Sequence, residues 1–215
     1  MTVRVERFSV GPLDNNLYLL TSDGSREALV IDPSIESEGV LAEIPRRGLD
    51  VKRILLTHAH VDHILMVKRY HDVTGAPVWL HGDDRPLYDR GRDQAASIGM
   101  VWPGTAPVAH EIADQEEVGI EGIPVRAIHT PGHSPGSVTF VTPQGLIGGD
   151  VLFRGSVGRT DLPGGDWTTL VRTIRERFFT FPPETRVLPG HGPETTIGLE
   201  QRTNPFVGEP ALEGA

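Results

Sequence analysis

The sequence predicts an α/β (α+β) domain in which mixed strands are layered against helices and deliver polar side chains onto one edge. Three observations predict it. Short apolar runs bounded by turn residues recur along the chain. Amphipathic helical stretches are interspersed among them. Several runs end in Gly/Pro-rich segments that carry a histidine or an aspartate.

The elements follow in order. Val3 to Phe8 alternates apolar and polar residues, the pattern of a half-buried strand. Leu17 to Leu20 and Ala28 to Ile31 are apolar runs separated by the turn-like Ser22-Asp23-Gly24-Ser25. Ser37 to Arg47 places Val40, Leu41 and Ile44 on one helical face. Arg53 to Leu56 is a buried strand, and Asp62 to about Val73 a single helix carrying Ile64, Val67 and Tyr70, stopped by Gly75. Val78 to Leu80 is a further strand. Residues 81–116, rich in Gly, Asp, Arg and Pro, read as a loop-rich excursion with one or two short helices. Strands are expected near Val118–Ile120, Val125–Ile128, Ser137–Val141, Leu146–Ile147 and Arg186–Leu188. Asp166 to Phe179 is a helix with Asp166 as its cap, and Gly198 to Thr203 a last one.

A chain of 215 residues suits one domain over positions 1–215, long enough to bury a core without staples. With 29 acidic against 20 basic residues the net charge is -9, and no basic stripe is present. This argues against nucleic acid as a main partner, since phosphate binding needs such a stripe. Cysteine is absent, which removes disulfides, thiolate ligands and cysteine nucleophiles together. The N-terminus reads as a strand and no apolar run is long enough to span a membrane. The expectation is a cytoplasmic protein, monomer or homodimer, acting on a small molecule without membrane or nucleic-acid partners.

The chemistry concentrates in Thr57-His58-Ala59-His60-Val61-Asp62-His63. Four potential ligands lie within six residues directly after an apolar strand. Side chains alternate in extended chain, so His58 and His60 point the same way. Asp62 and His63 fall where the chain turns into a helix and can address a neighbouring spot. A lone loop histidine is ordinarily surface, but this density after a buried strand is not explained that way. Imidazole and carboxylate without thiolate suit Zn, Mn or Fe. Three further segments each add a donor after a strand-like run: His133 in Thr130-Pro131-Gly132-His133-Ser134-Pro135-Gly136, Asp150 in Gly148-Gly149-Asp150, and His191 in Pro189-Gly190-His191-Gly192. Their glycines let backbones crowd near a site. Together these make seven donors, enough for two ions. His71, His81 and His110 are set aside as surface or excursion residues. His129 competes with His133, which is preferred because it follows the Pro131-Gly132 turn.

The set THAHVDH, TPGHSPGS, GGD and PGHG, in that order over most of the chain, resembles the metallo-β-lactamase superfamily. The resemblance implies an αββα sandwich of two mixed sheets flanked by helices, with two divalent ions at one edge, zinc foremost and iron or manganese as alternatives. It implies His58, His60 and His133 around the first ion, Asp62, His63 and His191 around the second, and Asp150 between them, with Asp62 also orienting the attacking water. Gly149-Asp150-Val151-Leu152-Phe153 and Gly158-Arg159-Thr160-Asp161-Leu162-Pro163-Gly164-Gly165-Asp166 resemble the short, single-domain glyoxalase II-like branch. That implies hydrolysis of hydroxyacyl glutathione-type thioesters by a metal-activated hydroxide. Two departures stand out. The helical domain that full-length members use for glutathione is not expected here, since the sequence ends about where it would begin. Ile64 also stands where relatives often have Gly.

Asp32 has two readings of equal weight: holding a ligand histidine by its second ring nitrogen, or capping the turn before Pro33. Arg159 and Asp161 are expected to form a buried pair that shapes the loop under the site, a reading preferred to Arg159 meeting an anionic substrate. Rival functions are a mononuclear iron persulfide dioxygenase using His58, His133 and Asp150, a lactonase or other ester or amide hydrolase, and a non-catalytic binding protein. Val157 stands where the dioxygenases are expected to have cysteine, and the full donor set argues against a decayed binder.

Overall fold

The computed structural model describes residues 2–213. In the first half, strands β1 (Val3–Val10), β2 (Asn15–Ser22) and β3 (Glu27–Ile31) lead through helix α1 (Glu38–Arg46) into β4 (Asp50–Leu55). Short helices α2 (Val61–Ile64) and α3 (Val67–Thr74) precede β5 (Val78–His81). Helices α4 (Arg85–Asp89) and α5 (Gly91–Ser97) precede β6 (Val108–Ile112). These strands form one six-stranded sheet in sequence order, antiparallel over β1-β2-β3 and parallel from β3 to β6.

The second half contributes β7 (Arg126–His129), β8 (Val138–Thr142), β9 (Gly145–Gly149), a small hairpin of β10 (Leu152–Phe153) and β11 (Ser156–Val157), and α6 (Trp167–Thr173), which runs on into a π-helical turn, Ile174–Phe178. β12 (Arg186–Pro189), β13 (Thr195–Thr196), α7 (Ile197–Thr203) and α8 (Glu209–Glu213) follow. The second sheet has the order β13-β12-β9-β8-β7 and is also mixed, since β12 lies parallel to β9. Two mixed sheets with helices on both outer faces are the expected αββα sandwich.

The layers follow from side-chain alternation. In β2, Leu17 and Leu19 face outward under Val40 and Ile44 of α1 and Val67 and Tyr70 of α3, while Tyr18 and Leu20 face the second sheet. β3 does the same with Ala28 and Val30 against Leu29 and Ile31. Such strands, buried on both faces, read as continuous apolar runs. Phe140, Ile147 and Leu188 complete the core between the sheets. Leu170, Ile174 and Phe178 cover the outer face of the second sheet.

Three expectations need correction. The helix foreseen over 62–73 is broken into α2 and α3, because the segment after β3 takes its hydrogen bonds: Met66 N donates to Pro33 O (3.1 Å) and Ile35 N to Asp62 O (2.9 Å). Gly75 ends α3 as expected, in the left-handed conformation. Val118–Ile120 is not a strand and makes only single bridges, Glu117 to Arg126 and Ile120 to Ile123. The excursion over 81–116 holds two helices and also β6, the edge of the first sheet. Its His110 sits on that strand, hydrogen-bonded to Glu116 and packed on Trp79.

Phe140 is fully buried between the sheets. Phe140→Ala is expected to destabilise the fold by about 3–5 kcal/mol. The Tyr18 hydroxyl donates across the sandwich to Pro189 O (2.6 Å). Tyr18→Phe removes that one bond and is expected to cost about 1 kcal/mol. Denaturant unfolding of both variants checks the ranking.

Candidate metal centre

Five strands end on the same edge. β3 runs into Asp32, β4 into the 57–63 segment, β7 into the loop bearing His133, β9 into Asp150 and β12 into His191. All seven sequence-predicted donors meet there. His58, His60 and His133 form one group and Asp62, His63 and His191 another, each with its donor atoms within 4.8 Å of one another. Asp150 stands between the groups: Oδ1 is 3.4 Å from His63 Nε2, and Oδ2 is 3.6 Å from His133 Nε2 and 3.3 Å from His191 Nε2. His129 lies outside, its ring stacked on His81 and its Nε2 on Pro135 O. With Asp83 these two form a separate His/Asp group on the surface.

The outer nitrogens of the rings are tied to the protein. His58 Nδ1 meets Thr57 Oγ1 (3.0 Å), and that hydroxyl donates in turn to Asp32 Oδ2 (2.5 Å). His63 Nδ1 meets Asp32 Oδ2 (3.1 Å), His133 Nδ1 the Arg159 carbonyl (2.8 Å) and His191 Nδ1 the Leu13 carbonyl (2.8 Å). Donation from the outer nitrogen leaves Nε2 of each ring with its lone pair directed inward, the arrangement metal-binding histidines adopt. His60 is reversed: its Nδ1 faces His133 Nε2 at 2.8 Å. Inner nitrogens therefore face one another at 2.8–3.3 Å, as in His133 with His58 and His63 with His191. His60 Nε2 and Asp150 Oδ1 are buried without a hydrogen-bond partner. Converging lone pairs beside unsatisfied buried atoms are poor protein packing and good cation chemistry. The donor set fits a metal site.

Electrostatics agree. Burial pushes His58 well below the usual imidazole range and, with the nearby His133, His60 down to about 4. Burial would lower His63 too, but Asp62, Asp150 and Asp32 override it and hold it well above. His191 is likewise raised against its burial, to about 10, by Asp150 and Asp62. Burial would raise both carboxylates, but His63 and His191 hold them well below the ordinary range. Two carboxylates thus draw positive charge into the edge, a role a divalent cation suits.

Asp32 takes the first of its two readings, since its carboxylate also accepts from Thr57 N (2.8 Å) and so fixes the start of the donor segment. Arg159 and Asp161 do pair, at 2.8 and 2.7 Å, but the pair is exposed rather than buried. The loop is shaped instead by the Arg159 carbonyl under His133.

Sequence reasoning missed Asp84. Fully buried, it accepts from Ala59 N (2.8 Å), between His58 and His60, and from Ser134 Oγ (2.8 Å) and Gly136 N (2.6 Å), beside His133. Burial raises its pKa even against those donors. It also missed Asn15, whose amide holds Asp62 Oδ2 (2.9 Å), and Asn16, which anchors the His191 loop through Pro189 O and Gly192 O. Gln94 of α5 brackets His60, donating to Ala59 O (3.0 Å) and accepting from Val61 N (3.1 Å). Beside the donors opens a cavity of about 710 Å³, walled by α4–α5 and the 153–163 segment.

An αββα sandwich with this His/Asp edge defines a metal-dependent hydrolase class. The chain matches the family model described as the metallo-beta-lactamase superfamily over residues 10–191, and it belongs to that superfamily. It is 39% identical over 204 residues to the probable metallo-hydrolase YqgX of Bacillus subtilis, covering 94% of this chain and 96% of that one. It is 32% identical over 209 residues to the hydroxyacylglutathione hydrolase GloC of Haemophilus influenzae, covering 95% and 98%. Among solved structures, BLEG-1 B3 metallo-beta-lactamase superposes with a TM-score of 0.87 at 37% identity over 95% of this chain and 99% of that one. TTHA1623, solved in a di-iron-bound form, gives 0.84 at 43% over 94% and 100%.

Two variants test how the edge is held. Asp84→Asn puts an amide N–H against backbone and hydroxyl donors. It is expected to destabilise by about 2–3 kcal/mol and to weaken metal affinity about 10- to 100-fold, read by unfolding and chelator competition. A Cβ at Gly190 would fall 2.1 Å from Asp150 Oδ1 and 2.9 Å from His63 Cε1. Gly190→Ala should therefore lose metal content on purification; retention of a full complement would show that Asp150 can move freely.

Proposed function

We propose that the chain is a glyoxalase II-like thioester hydrolase using two divalent ions, zinc foremost and iron or manganese as alternatives. The observation that carries it is the convergence of all seven donors beside a cavity large enough for a small molecule. The likeness to GloC supports the thioester part.

In this reading His58, His60 and His133 would hold one ion and Asp62, His63 and His191 the other, with Asp150 placed between the two groups. Such ions, when bound, acidify water to a pKa of about 7 and supply positive charge for a carbonyl oxygen. The chain's own contribution is placement. The hydrogen bonds to Asp62 fall on Oδ2, from Asn15 Nδ2 (2.9 Å), with His191 Nε2 at 3.2 Å. Asp62 also lines the cavity, where its carboxylate would orient the attacking water. Gln94 and Asp84 fix His60 and His133, so the groups need no rearrangement when substrate enters.

The test is metal analysis followed by an assay panel of thioesters, lactones and β-lactams. Asp150→Ala and His60→Ala are expected to lose bound metal and to lower thioester turnover by more than about 100-fold with the fold retained by circular dichroism. Full turnover in either variant would overturn the scheme. Cleavage of β-lactams is the second reading, favoured by the likeness to BLEG-1. Rapid β-lactam cleavage without thioesterase activity would replace the first reading by the second.

A further inference from the structure

The cavity beside the donors is asymmetric in its chemistry. Leu13 and Ile98 are among the few large apolar side chains left open to solvent, at 54% and 49% exposure, and both line this cavity. They come from separate segments, the β1–β2 turn and the end of α5. Leu87, Phe153, Val157 and Leu162 add half-buried apolar surface to the same concavity. Exposed apolar residues scattered singly need no explanation, but a contiguous patch around a cleft marks a binding surface. The apolar wall begins at the donors themselves, since the Phe153 ring lies 6.1 Å from that of His191.

The charged side chains on the cavity tell the complementary story. Apart from the five donors that line it, His60, Asp62, His133, Asp150 and His191, they are Arg90, Asp93 and Arg159. The Arg159 guanidinium is closed by both oxygens of Asp161, and Arg90 has Asp93 at 3.8 Å. Among the described residues no cation without a neighbouring carboxylate lines the cavity. A thiol carrier with several carboxylates or phosphates is recognised through such free cations.

We infer that the substrate's groups flanking the scissile carbonyl are apolar: the site takes medium-chain acyl or aryl thioesters and does not read the charges of glutathione. This rests on the thioesterase reading for the bond cleaved, and on the cavity alone for the groups around it. Leu13 and Ile98 grip the apolar chain and set its preferred length.

The experiment has a kinetic and a binding arm. Metal-loaded protein is assayed on N-acetylcysteamine thioesters with acetyl, butanoyl, hexanoyl and octanoyl chains, and on a 2-hydroxyacyl glutathione thioester. The expected result is a rise in kcat/KM of about three- to fourfold per methylene until the cavity fills, with the glutathione thioester below the octanoyl one. Leu13→Ser combined with Ile98→Ser should flatten that slope, and circular dichroism confirms folding of the variant. In the binding arm, calorimetry compares the uncleavable thioethers S-octyl- and S-methyl-N-acetylcysteamine with S-methylglutathione. The octyl compound should bind at least tenfold more tightly than either methyl compound. A flat chain-length series with preference for the glutathione compounds would overturn the inference and leave the thioesterase reading standing. Tight octyl binding without cleavage of any thioester would do the reverse, sinking the thioesterase reading while supporting the apolar cavity. Equal binding of octyl and methyl thioethers would overturn the inference whatever is cleaved.

Discussion

The structure depends on one constraint: five imidazoles and two carboxylates must share a largely water-excluded edge without collapsing onto one another. Inner nitrogens cannot satisfy one another, so four of the five rings, all but His60, are held from behind. The protein does this with acceptors on the outer side: Thr57, Asp32 and the carbonyls of Arg159 and Leu13. Those acceptors come from four different parts of the chain, which is why so much of the fold is committed to the edge. The sandwich supplies strand ends that arrive together, and the layers of apolar side chains keep them from sliding.

Two buried carboxylates turn this into a connected scaffold. Asp32 joins the end of β3 to Thr57 and His63, and Asp84 joins the start of α4 to Ser134 and Gly136 just after His133 and to the link between His58 and His60. Each accepts several donors, which offsets the cost of burying its charge. Both are positional devices. Asp32 adopts a positive φ of 51°, a conformation that aspartate tolerates better than most residues and that the tight exit from β3 requires.

What the sequence made legible follows from how local each signal was. The donors were readable because four sit within six residues and the others follow short apolar runs in Gly/Pro-rich loops. Strands such as β2, β3 and β9 were readable because burial on two faces writes uninterrupted apolar runs. Asp84, Asn15, Asn16 and Gln94 were not, because their partners lie far away in sequence and nothing near them marks the role. β6 was hidden because Val108-Ala109-His110-Glu111-Ile112 is an edge strand with polar residues on its open face. The break between α2 and α3 was hidden because apolar periodicity continues across it. Only the carbonyl of Pro33, brought in by tertiary structure, diverts the helical bond.

Gln94 joins the two halves of the problem. It stands on α5, whose other side chains form one wall of the cavity, and its amide spans the backbone on both sides of His60. One wall of the cavity is thus bonded to the backbone that flanks a metal-site histidine. In many enzymes the loops that choose a substrate are separable from the residues that act on it. Here a shift of the α4–α5 wall pulls through Gln94 on the backbone either side of His60, so under the proposed function a poorly fitting molecule that displaces the wall would also disturb the donor set. Selection by shape and integrity of the centre are therefore coupled through one side chain. In an apolar cavity that coupling adds discrimination which hydrophobic contact, being non-directional, does not provide by itself.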